Sequence, residues 1–359
     1  MRASGRENCP TRLFPIINIP SIKVSTKWGQ GEGGWRMCGR GGDRFGFMRL
    51  GVLDIGSNTV HLLLVDAHAG ASPIPFASHK QPLQLLKFVD EAGTISEAGQ
   101  RTLIDFVSDA SEFAREHDAE DLLAFATSAI RESSNGAAVL ERVHTETGIK
   151  LTELSGSQEA AATFFAVRRW YGWGAGTILN LDIGGGSFEL AIGSDEQPDV
   201  AVSVPLGAGR LTRDRLVGDP PPRQSVTATR ELIRATLTHP IAVIRQGGPP
   251  TMAAGTSKSF RSLARITGAA QRSAGPYAPR ELLLPDLSRL TARLSRMDIS
   301  ARVQLPGVSP VRAEQLLAAA LVAEEAMLAL NIDKLYICPW ALREGILLQR
   351  FDHLTGERG

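Results

Sequence analysis

The sequence predicts an α/β protein made of two similar units, each built on a mixed β-sheet. The first observation is the order of elements, because hairpin strands come first and helices then alternate with strands. The second is an internal repeat, in which Leu53-Asp54-Ile55-Gly56-Ser57 recurs as Leu181-Asp182-Ile183-Gly184-Gly185. The third is the length of 359 residues, which suits about two domains of ~100–200 residues each. We therefore expect two Asp-bearing hairpins that face each other.

The first unit opens with a β-hairpin. Residues 49–55 are apolar enough for a buried strand, Gly56-Ser57-Asn58 is typical of a turn, and residues 60–66 make the return strand. Apolar residues at helical spacing follow Ser96, a favourable N-cap, and predict a helix to about His117. The remaining elements predicted here are a strand near 73–80, a strand at 122–127, a helix at 137–147 ended by Gly148, a strand at 150–154 and a helix at 158–170.

The second unit repeats this opening with an apolar strand, a tight glycine turn and a return strand over residues 177–193. Later elements predicted from the pattern are a helix at 226–238, a small-residue turn at 253–257, a helix at 310–330, a strand at 334–338 and a helix at 341–353. The resulting division is an N-terminal extension (1–47), domain I (48–174), domain II (175–338) and a C-terminal helix (339–359) that we expect to pack back on domain I.

Composition excludes several classes of protein. The 39 basic and 38 acidic side chains nearly cancel, which argues against a nucleic-acid coat or a polybasic membrane binder. No run of about 18 apolar residues is present, so we expect no membrane-spanning helix. The 3 cysteines are scattered, which suits a cytoplasmic protein better than a disulfide framework.

The N-terminal extension, residues 1–47, carries eight basic and three acidic side chains, so the remainder of the chain is net acidic. It is rich in glycine and has no periodicity, and we predict that it is disordered. Two interpretations stay open: translation begins natively at Met48, directly before the first strand, or the extension is a functional basic tail. Binding of a polyanion by the acidic body must rest on the local placement of its charges.

Each hairpin turn combines a strand-end carboxylate with glycine and small hydrogen-bonding side chains. Glycine lets backbone N–H groups approach an anion closely, and consecutive N–H groups in a turn form an anion-binding concavity. One such turn is most simply an ordinary hairpin, but two copies facing one cleft would grip two phosphates of one substrate. Asp54 and Asp182 suit magnesium, which takes one or two protein carboxylates and completes its shell with waters and phosphates.

Four segments carry a resemblance to a known family: 54–59, 126–131, 182–187 and 341–345. Together they resemble the exopolyphosphatase/guanosine pentaphosphate phosphohydrolase family over about residues 48–350, and Trp-containing segments at 168–173 and 338–340 resemble its short two-domain actinobacterial members. The resemblance implies a two-domain actin-like ATPase (ribonuclease H-like) fold, with a mixed sheet in each domain and a cleft between the domains.

The resemblance also implies roles for individual residues. It implies that the terminal phosphate is bound by the two turns, through Gly56, Ser57, Asn58, Thr59, Gly184, Gly185, Gly186 and Ser187. Arg131 would clamp a phosphate with its planar guanidinium, and Lys258 and Arg261 would hold more distal phosphates. Asp182 would be the magnesium ligand, with Asp54 acting through waters and Mn²⁺ as a substitute metal. Arg210, Arg213 and Arg215 are further candidates for a basic track.

The resemblance assigns Glu159 as the general base, because it matches a glutamate of the family's Ser-Gly-x-Glu-Glu-Ala-Arg segment. Without the family match, Glu159 would be an ordinary glutamate at a helix N-terminus. The segment departs from the pattern twice, since Gln158 stands where the family has the first glutamate and Ala161 where it has the arginine. These departures put the rate and the chain-length preference in doubt.

We therefore expect a magnesium-dependent enzyme that removes terminal phosphate from inorganic polyphosphate, with a preference for short chains. One alternative is an enzyme of the same chemistry that acts on guanosine pentaphosphate or a nucleoside triphosphate. A second alternative is a weakly active sensor that binds polyphosphate or an alarmone, and the departures at Gln158 and Ala161 motivate it. A homodimer would be consistent with the resemblance.

Overall fold

A computed structural model describes residues 20–23, 48–68 and 72–356. The described residues form two six-stranded sheets. The strands of sheet I are β1 (Ser21–Lys23), β2 (Met48–Ile55), β3 (Thr59–Ala67), β4 (Ala77–Pro82), β5 (Asp121–Ala126) and β6 (Thr152–Glu153). Their order is β1-β5-β2-β3-β4, and β6 also pairs with β5.

Sheet II belongs to domain II. Its strands are β7 (Ile178–Ile183), β8 (Phe188–Gly193), β9 (Val200–Val204), β10 (Met252–Gly255), β11 (Glu281–Leu283) and β12 (Lys334–Ile337), in the order β11-β12-β10-β7-β8-β9. The helices are α1 (Glu97–Glu116), α2 (Ser128–Arg131), α3 (Gly136–Thr147), α4 (Gly156–Tyr171), α5 (Ala208–Arg215), α6 (Arg223–Ile244), α7 (Ser257–Ile266), α8 (Leu284–Leu294), α9 (Ile299–Val303), α10 (Pro310–Leu330) and α11 (Leu342–Gly356).

The two sheets share one topology. In sheet I the antiparallel strands β2, β3 and β4 are extended by β5, which runs parallel to β2. In sheet II the antiparallel strands β7, β8 and β9 are extended by β10, which runs parallel to β7. Strand β12 lies parallel beside β10 as β6 lies beside β5. The repeat seen in the sequence is therefore a repeat of structure.

Helix α4 lies between the two sheets. Phe165 packs in one apolar cluster with Leu50 of β2, whereas Phe164 packs in another with Ile178 of β7. Every residue from Glu159 to Arg168 is buried, as expected of a helix that contacts protein on all sides. The N-terminal end of α4 is thereby held rigidly at the junction of the domains.

The C-terminal helix α11 packs on sheet I and on α4. Ile346 and Phe351 join the apolar cluster that contains Leu50. The two helices approach most closely at Gly345, where a Cβ atom would overlap the carbonyl group of Ala162. The chain therefore returns to domain I after completing sheet II.

Most predicted elements are present, with small shifts at their ends. Ser96 caps α1 by accepting the N–H of Gly99, and α10 has the predicted bounds. The predicted turn at 253–257 is wrong in its first half, because residues 253–255 belong to β10. The strand is made of small residues because α7 packs directly on it, and a Cβ on Gly255 would lie 3.0 Å from Cγ of Phe260. Strands β9 and β11 and helices α5, α7, α8 and α9 were not predicted. Helices α7 and α8 do carry buried apolar residues at helical spacing, such as Leu287, Leu290 and Leu294 of α8, so their signal was present in the sequence and was missed.

The prediction that residues 1–47 are disordered is wrong for Ser21–Lys23, which form β1 and pair antiparallel with β5. This pairing is available because β6 covers only the last two residues of β5, leaving the first half of that edge open. The rest of the prediction falls outside the described residues. In the part of the chain that the structure describes, no helix has both the length and the apolar character needed to cross a membrane.

Candidate active site

The two hairpin turns have the same internal hydrogen bond. In the first, the N–H of Gly56 donates to the carbonyl of Thr59 (3.1 Å), and in the second, the N–H of Gly184 donates to the carbonyl of Ser187 (2.9 Å). The two turns then meet across the domains. A Cβ atom on Gly185 would lie 2.8 Å from Cβ of Ser57, so only glycine permits this approach.

A cavity of about 190 Å³ lies where the two turns meet. Its wall contains Asp54, Gly56, Ser57, Asn58, Thr59, Glu159, Asp182, Gly184, Gly185, Ser187, Lys258 and Arg261 from the residues predicted in the sequence. Gly186, the next residue after Gly185, does not line the cavity itself. A Cβ atom on Gly186 would lie 2.5 Å from Oγ of Ser128. Arg131 also lies behind the wall and reaches it through Glu159.

The turns present unused backbone donors to this cavity. Among the described residues, the N–H groups of Ser57, Asn58, Gly185 and Gly186 donate to no protein acceptor, whereas the N–H groups of Gly56 and Gly184 close the turns. Partly buried N–H groups without acceptors are destabilising unless water or an anion satisfies them. Ser57, Asn58 and Gly185 line the cavity and Gly186 follows directly behind it, so both domains contribute candidate donors for an anion.

The strand next to each hairpin ends in a threonine that the sequence analysis did not assign to the site. Thr127 and Thr256 each donate through Oγ1 to a carbonyl of the neighbouring strand, at 3.3 and 3.2 Å. Thr256 Oγ1 also lies 2.8 Å from Oδ2 of Asp182. The sequence could have revealed these threonines, because a Thr-Ser pair directly follows both strands, at 127–128 and at 256–257. This pair is a second element of the internal repeat.

Glu159 is buried at the start of α4 and faces the cavity. Its carboxylate accepts a hydrogen bond from Nη1 of Arg131, which also donates to the carbonyl of Leu154 at 2.5 Å. The pKa of Glu159 is raised to about 7, chiefly by burial, with Arg131 opposing the rise and the charges of Asp54 and Asp182 adding to it. A carboxylate with this pKa can accept a proton near neutral pH.

The two departures from the family segment have structural explanations. Gln158 completes a capping box, because its Oε1 accepts the N–H of Ser155 (2.8 Å) while Oγ of Ser155 accepts the N–H of Gln158 (3.2 Å). Gln and Glu serve equally in such a cap. Ala161 is buried in α4 between the sheets. Neither the capping hydrogen bonds of Gln158 nor the buried position of Ala161 involves the carboxylate of Glu159. The candidate base is held instead by its hydrogen bond from Arg131.

Three more carboxylates line the cavity beside Glu159. Burial raises the pKa of Asp182 to about 6, with hydrogen bonding to Thr256 opposing, and burial likewise raises the pKa of Asp54. Glu189, which the sequence analysis missed, stands directly opposite Asp182 on β8 and accepts a hydrogen bond from Ser203 (2.8 Å). Its pKa is raised by burial first and then by the charges of Glu159 and Asp182. Four carboxylates therefore line one cavity, and the pKa of each is raised.

These carboxylates fit a divalent cation whose coordination shell is completed by waters and by the substrate. Among the described residues, no three His, Cys, Asp or Glu side chains form a protein-only metal cluster. Asp54 and Asp182 nevertheless line one cavity, and the charge of Asp54 contributes to the raised pKa of Asp182. Magnesium is commonly held by one or two carboxylates, waters and phosphate oxygens.

The side chain of Asn58 pairs with an amide side chain of domain II. Its Nδ2 donates to Oε1 of Gln315 at 3.0 Å, and Nε2 of Gln315 donates to its Oδ1 at 2.8 Å. Gln315 belongs to α10, so this reciprocal amide pair joins domain I to domain II. Because the side chain of Asn58 is engaged, its backbone N–H is the donor left for a phosphate.

Basic side chains line the same cavity. Burial is the largest cause of a fall in the pKa of Lys258 to about 6, to which nearby Lys80 and Arg343 also contribute. Arg343, in the late family segment at 341–345, contacts Nδ1 of His61 and lies 3.7 Å from Oδ2 of Asp54. Arg312 of α10 also lines the cavity. Burial lowers the pKa of His61 to about 3, so this imidazole is neutral beside the cations.

The suggested basic track at Arg210, Arg213 and Arg215 is not confirmed by the contacts. Arg210 pairs with Glu132 of domain I and donates from Nε to the carbonyl of Gly186 (3.1 Å), so it joins the domains beside the second turn. Arg213 pairs with Asp214 at 2.6 Å. The charges of Arg210 and Arg213 are therefore paired within the protein.

Comparisons with known proteins identify the family of this chain. The Ppx/GppA phosphatase family matches residues 64–354. The chain is 52% identical over 305 residues to Exopolyphosphatase 1 of Mycobacterium tuberculosis, covering 85% of this chain and 89% of that protein. Its structure resembles an exopolyphosphatase from Cytophaga hutchinsonii, with a TM-score of 0.77, 25% identity and coverage of 85% and 98%. A Ppx/GppA member from Aquifex aeolicus shares the fold, with a TM-score of 0.71, 22% identity and coverage of 88% and 100%. The protein therefore belongs to the Ppx/GppA phosphatase family and has its two-domain actin-like α/β fold.

Proposed function

We propose that this protein is an exopolyphosphatase, which hydrolyses the terminal phosphoanhydride bond of inorganic polyphosphate and releases orthophosphate. The observation that carries the proposal is the pair of equivalent turns, whose unused N–H groups meet at one cavity beside the buried carboxylate of Glu159. The Mycobacterium tuberculosis and Cytophaga hutchinsonii relatives are both named exopolyphosphatases. Positioning and charge stabilisation are the main requirements of phosphoryl transfer, and this cavity supplies both.

The terminal phosphate fits between the two turns. Backbone N–H groups of Ser57 and Asn58 would donate from one side, and those of Gly185 and Gly186 from the other. Fixed donors of this kind stabilise negative charge without reorganising during the reaction. Since the donors come from both domains, the site is complete only when the domains are in contact.

Glu159 is placed to activate the attacking water. The water oxygen forms a bond to the terminal phosphorus, its proton passes to the carboxylate of Glu159, and the bond to the bridging oxygen breaks. The rest of the chain leaves with the electrons of that bond. Arg131 holds Glu159 in place by donating a hydrogen bond to its carboxylate.

We propose Mg²⁺, with Mn²⁺ as a substitute, as the metal of this site. Asp182 would hold it directly and Asp54 through water, since both side chains line the cavity. A bound divalent cation would neutralise charge on the phosphate oxygens.

A substrate panel tests the proposal. We expect orthophosphate release from short polyphosphate chains in the presence of Mg²⁺, at a higher kcat/KM than from guanosine pentaphosphate or a nucleoside triphosphate. Faster hydrolysis of guanosine pentaphosphate would assign the enzyme to that substrate instead. Tight binding of polyphosphate without turnover, across several pH values, would identify a sensor. Size-exclusion chromatography of the same preparation tests the proposed homodimer, and the cytoplasmic location stays a prediction.

A further inference from the structure

A row of four charged side chains crosses the boundary between the domains beside the cavity. Glu159 of α4 accepts a hydrogen bond from Arg131, and Nη2 of Arg131 lies 3.8 Å from Oε1 of Glu132. Oε2 of Glu132 pairs with Nη2 of Arg210, which belongs to α5 of domain II. The signs alternate along the row, so each side chain lies next to a charge of opposite sign. The row therefore links the candidate base in domain I to a helix of domain II.

Arg210 is seated on the second hairpin turn. Its Nε donates to the carbonyl of Gly186 at 3.1 Å, and its backbone N–H donates to the carbonyl of Gly185 at 3.0 Å. The carbonyl of Gly184 accepts from the N–H of Ala208 at 3.0 Å. In a trans peptide the C=O of one residue and the N–H of the next point in opposite directions. These bonds therefore direct the N–H groups of Gly185 and Gly186, the candidate phosphate donors, away from α5.

The ion pair of Glu132 and Arg210 is partly buried and lies outside the cavity wall. The two side chains are 29% and 26% exposed. Arg131 stands between two carboxylates, those of Glu132 and Glu159. Without the guanidinium of Arg210, the carboxylate of Glu132 would compete with Glu159 for Arg131, because carboxylates bind a guanidinium through strong charge-assisted hydrogen bonds. The pair therefore influences the base through Arg131.

We infer that Glu132 and Arg210 are positioning residues for the hydrolysis, because their ion pair aligns Glu159 with a phosphate held by the second turn. Arg210 is fixed to the turn in domain II, and Glu132 transmits that position through Arg131 to the base. The base and the phosphate are thus aligned only when the two domains are in contact. This inference rests on the proposed function for the role of Glu159 as general base.

Kinetics of Arg210→Gln and Glu132→Gln test the positioning role. We expect each variant to lower kcat for orthophosphate release by at least about tenfold, because a small misplacement of a reacting group has a large effect on the rate. KM and the inhibition constant of orthophosphate should stay within about twofold, since the backbone hydrogen bonds that hold the second turn remain. In a Glu159→Gln background, Arg210→Gln should cause no further loss, because its effect passes through Glu159.

Arg169→Gln is the matched control. The side chain of Arg169 is likewise partly buried, at 33% exposed, and its ion pair with Glu196 joins α4 to domain II outside the cavity wall. This variant should keep kcat within about twofold of the wild-type value. An unchanged kcat in both positioning variants would overturn the inference. So would the same loss in Arg169→Gln, or a further loss in the Glu159→Gln background.

Binding of orthovanadate measures the alignment without turnover. Vanadate can take a water as a fifth ligand and so imitates the phosphoryl group under attack, which makes it bind more tightly than orthophosphate at a site aligned for the reaction. By calorimetry we expect Arg210→Gln to weaken vanadate binding about tenfold and orthophosphate binding by less than about twofold. Equal losses for both anions, or a wild type that binds vanadate no more tightly than orthophosphate, would contradict the positioning role. If the wild type hydrolyses no polyphosphate but shows the expected difference, the proposed function fails and the positioning role stands.

Discussion

Replacement of Glu159 by glutamine gives the sharpest test of the catalytic assignment. The substitution keeps the size of the side chain and the capacity to accept a hydrogen bond from Arg131, but removes the proton acceptor. A positioned general base contributes about 10²–10⁴-fold to the rate. We therefore expect Glu159→Gln to lower kcat for orthophosphate release by at least about 100-fold, with KM changing much less.

The pH dependence of the wild type follows from the same residue. Burial raises the pKa of Glu159 from its ordinary value of 4.5 to about 7, so the active, deprotonated form predominates only above that pH. Activity should rise about tenfold per pH unit below pH 7 and level off above it. A rate that does not change between about pH 5.5 and about pH 8 would refute the assignment. So would a kcat of Glu159→Gln within about tenfold of the wild-type value.

Stability provides the control for this variant. The shift from 4.5 to about 7 corresponds to a penalty on the order of 3 kcal/mol for ionising the buried carboxylate. Because the folded-state pKa is raised, this group favours folding at low pH, and its contribution is lost as pH rises from the unfolded-state pKa through about 7. At pH 8, Glu159→Gln should be at least as stable as wild type. If the inactive variant also has a lower Tm than the wild type, destabilisation of the fold would explain its loss of activity, and the variant would not report on the general base.

Three further predictions concern packing, domain contact and metal. Gly345→Ala should lower Tm by several degrees, because its Cβ would overlap Ala162 and such overpacking costs about 1–3 kcal/mol. The control Gly174→Ala should leave Tm unchanged, because its Cβ meets no atom within 4 Å. Asn58→Ala and Gln315→Ala should each destabilise by about 1–3 kcal/mol in urea unfolding, and the double variant by no more than the larger single effect; additive losses would exclude a direct amide pair. Chelation by EDTA should abolish orthophosphate release and added Mg²⁺ should restore it; full activity in EDTA would remove the metal from the proposal.

The sequence predicted the two hairpins because their chemistry is local. A strand, a glycine turn and a strand-end aspartate are all encoded within a few residues, and the repeat of Asp54 at Asp182 showed that they act together. Glu159 was reached through the family resemblance, since nothing within α4 itself distinguishes a catalytic glutamate from one that favours a helix start. Its burial and its contact with Arg131 depend on the packing of α4 between two sheets.

The residues that sequence reasoning missed owe their positions to tertiary contacts. Gln315 pairs with Asn58 across 257 positions of sequence, and it lies in a helix whose Ala/Leu-rich composition indicates only a buried core element. Arg312 lies in the first turn of that same helix, where it is equally unremarkable in sequence. The contact partners of such residues are set when α10 packs against the end of domain I, which no local pattern encodes.

Carboxylates and cations line the same cavity. Asp54, Asp182, Glu159 and Glu189 line it together with Lys258, Arg261, Arg312 and Arg343. The opposite charges lie close to one another, because Arg343 is 3.7 Å from Oδ2 of Asp54 and the charge of Arg261 opposes the rise in the pKa of Asp182. A phosphoryl group that binds there meets cations that attract its charge and carboxylates that repel it. A divalent cation held by the carboxylates would remove that repulsion, which is why the proposed metal and the proposed substrate depend on each other.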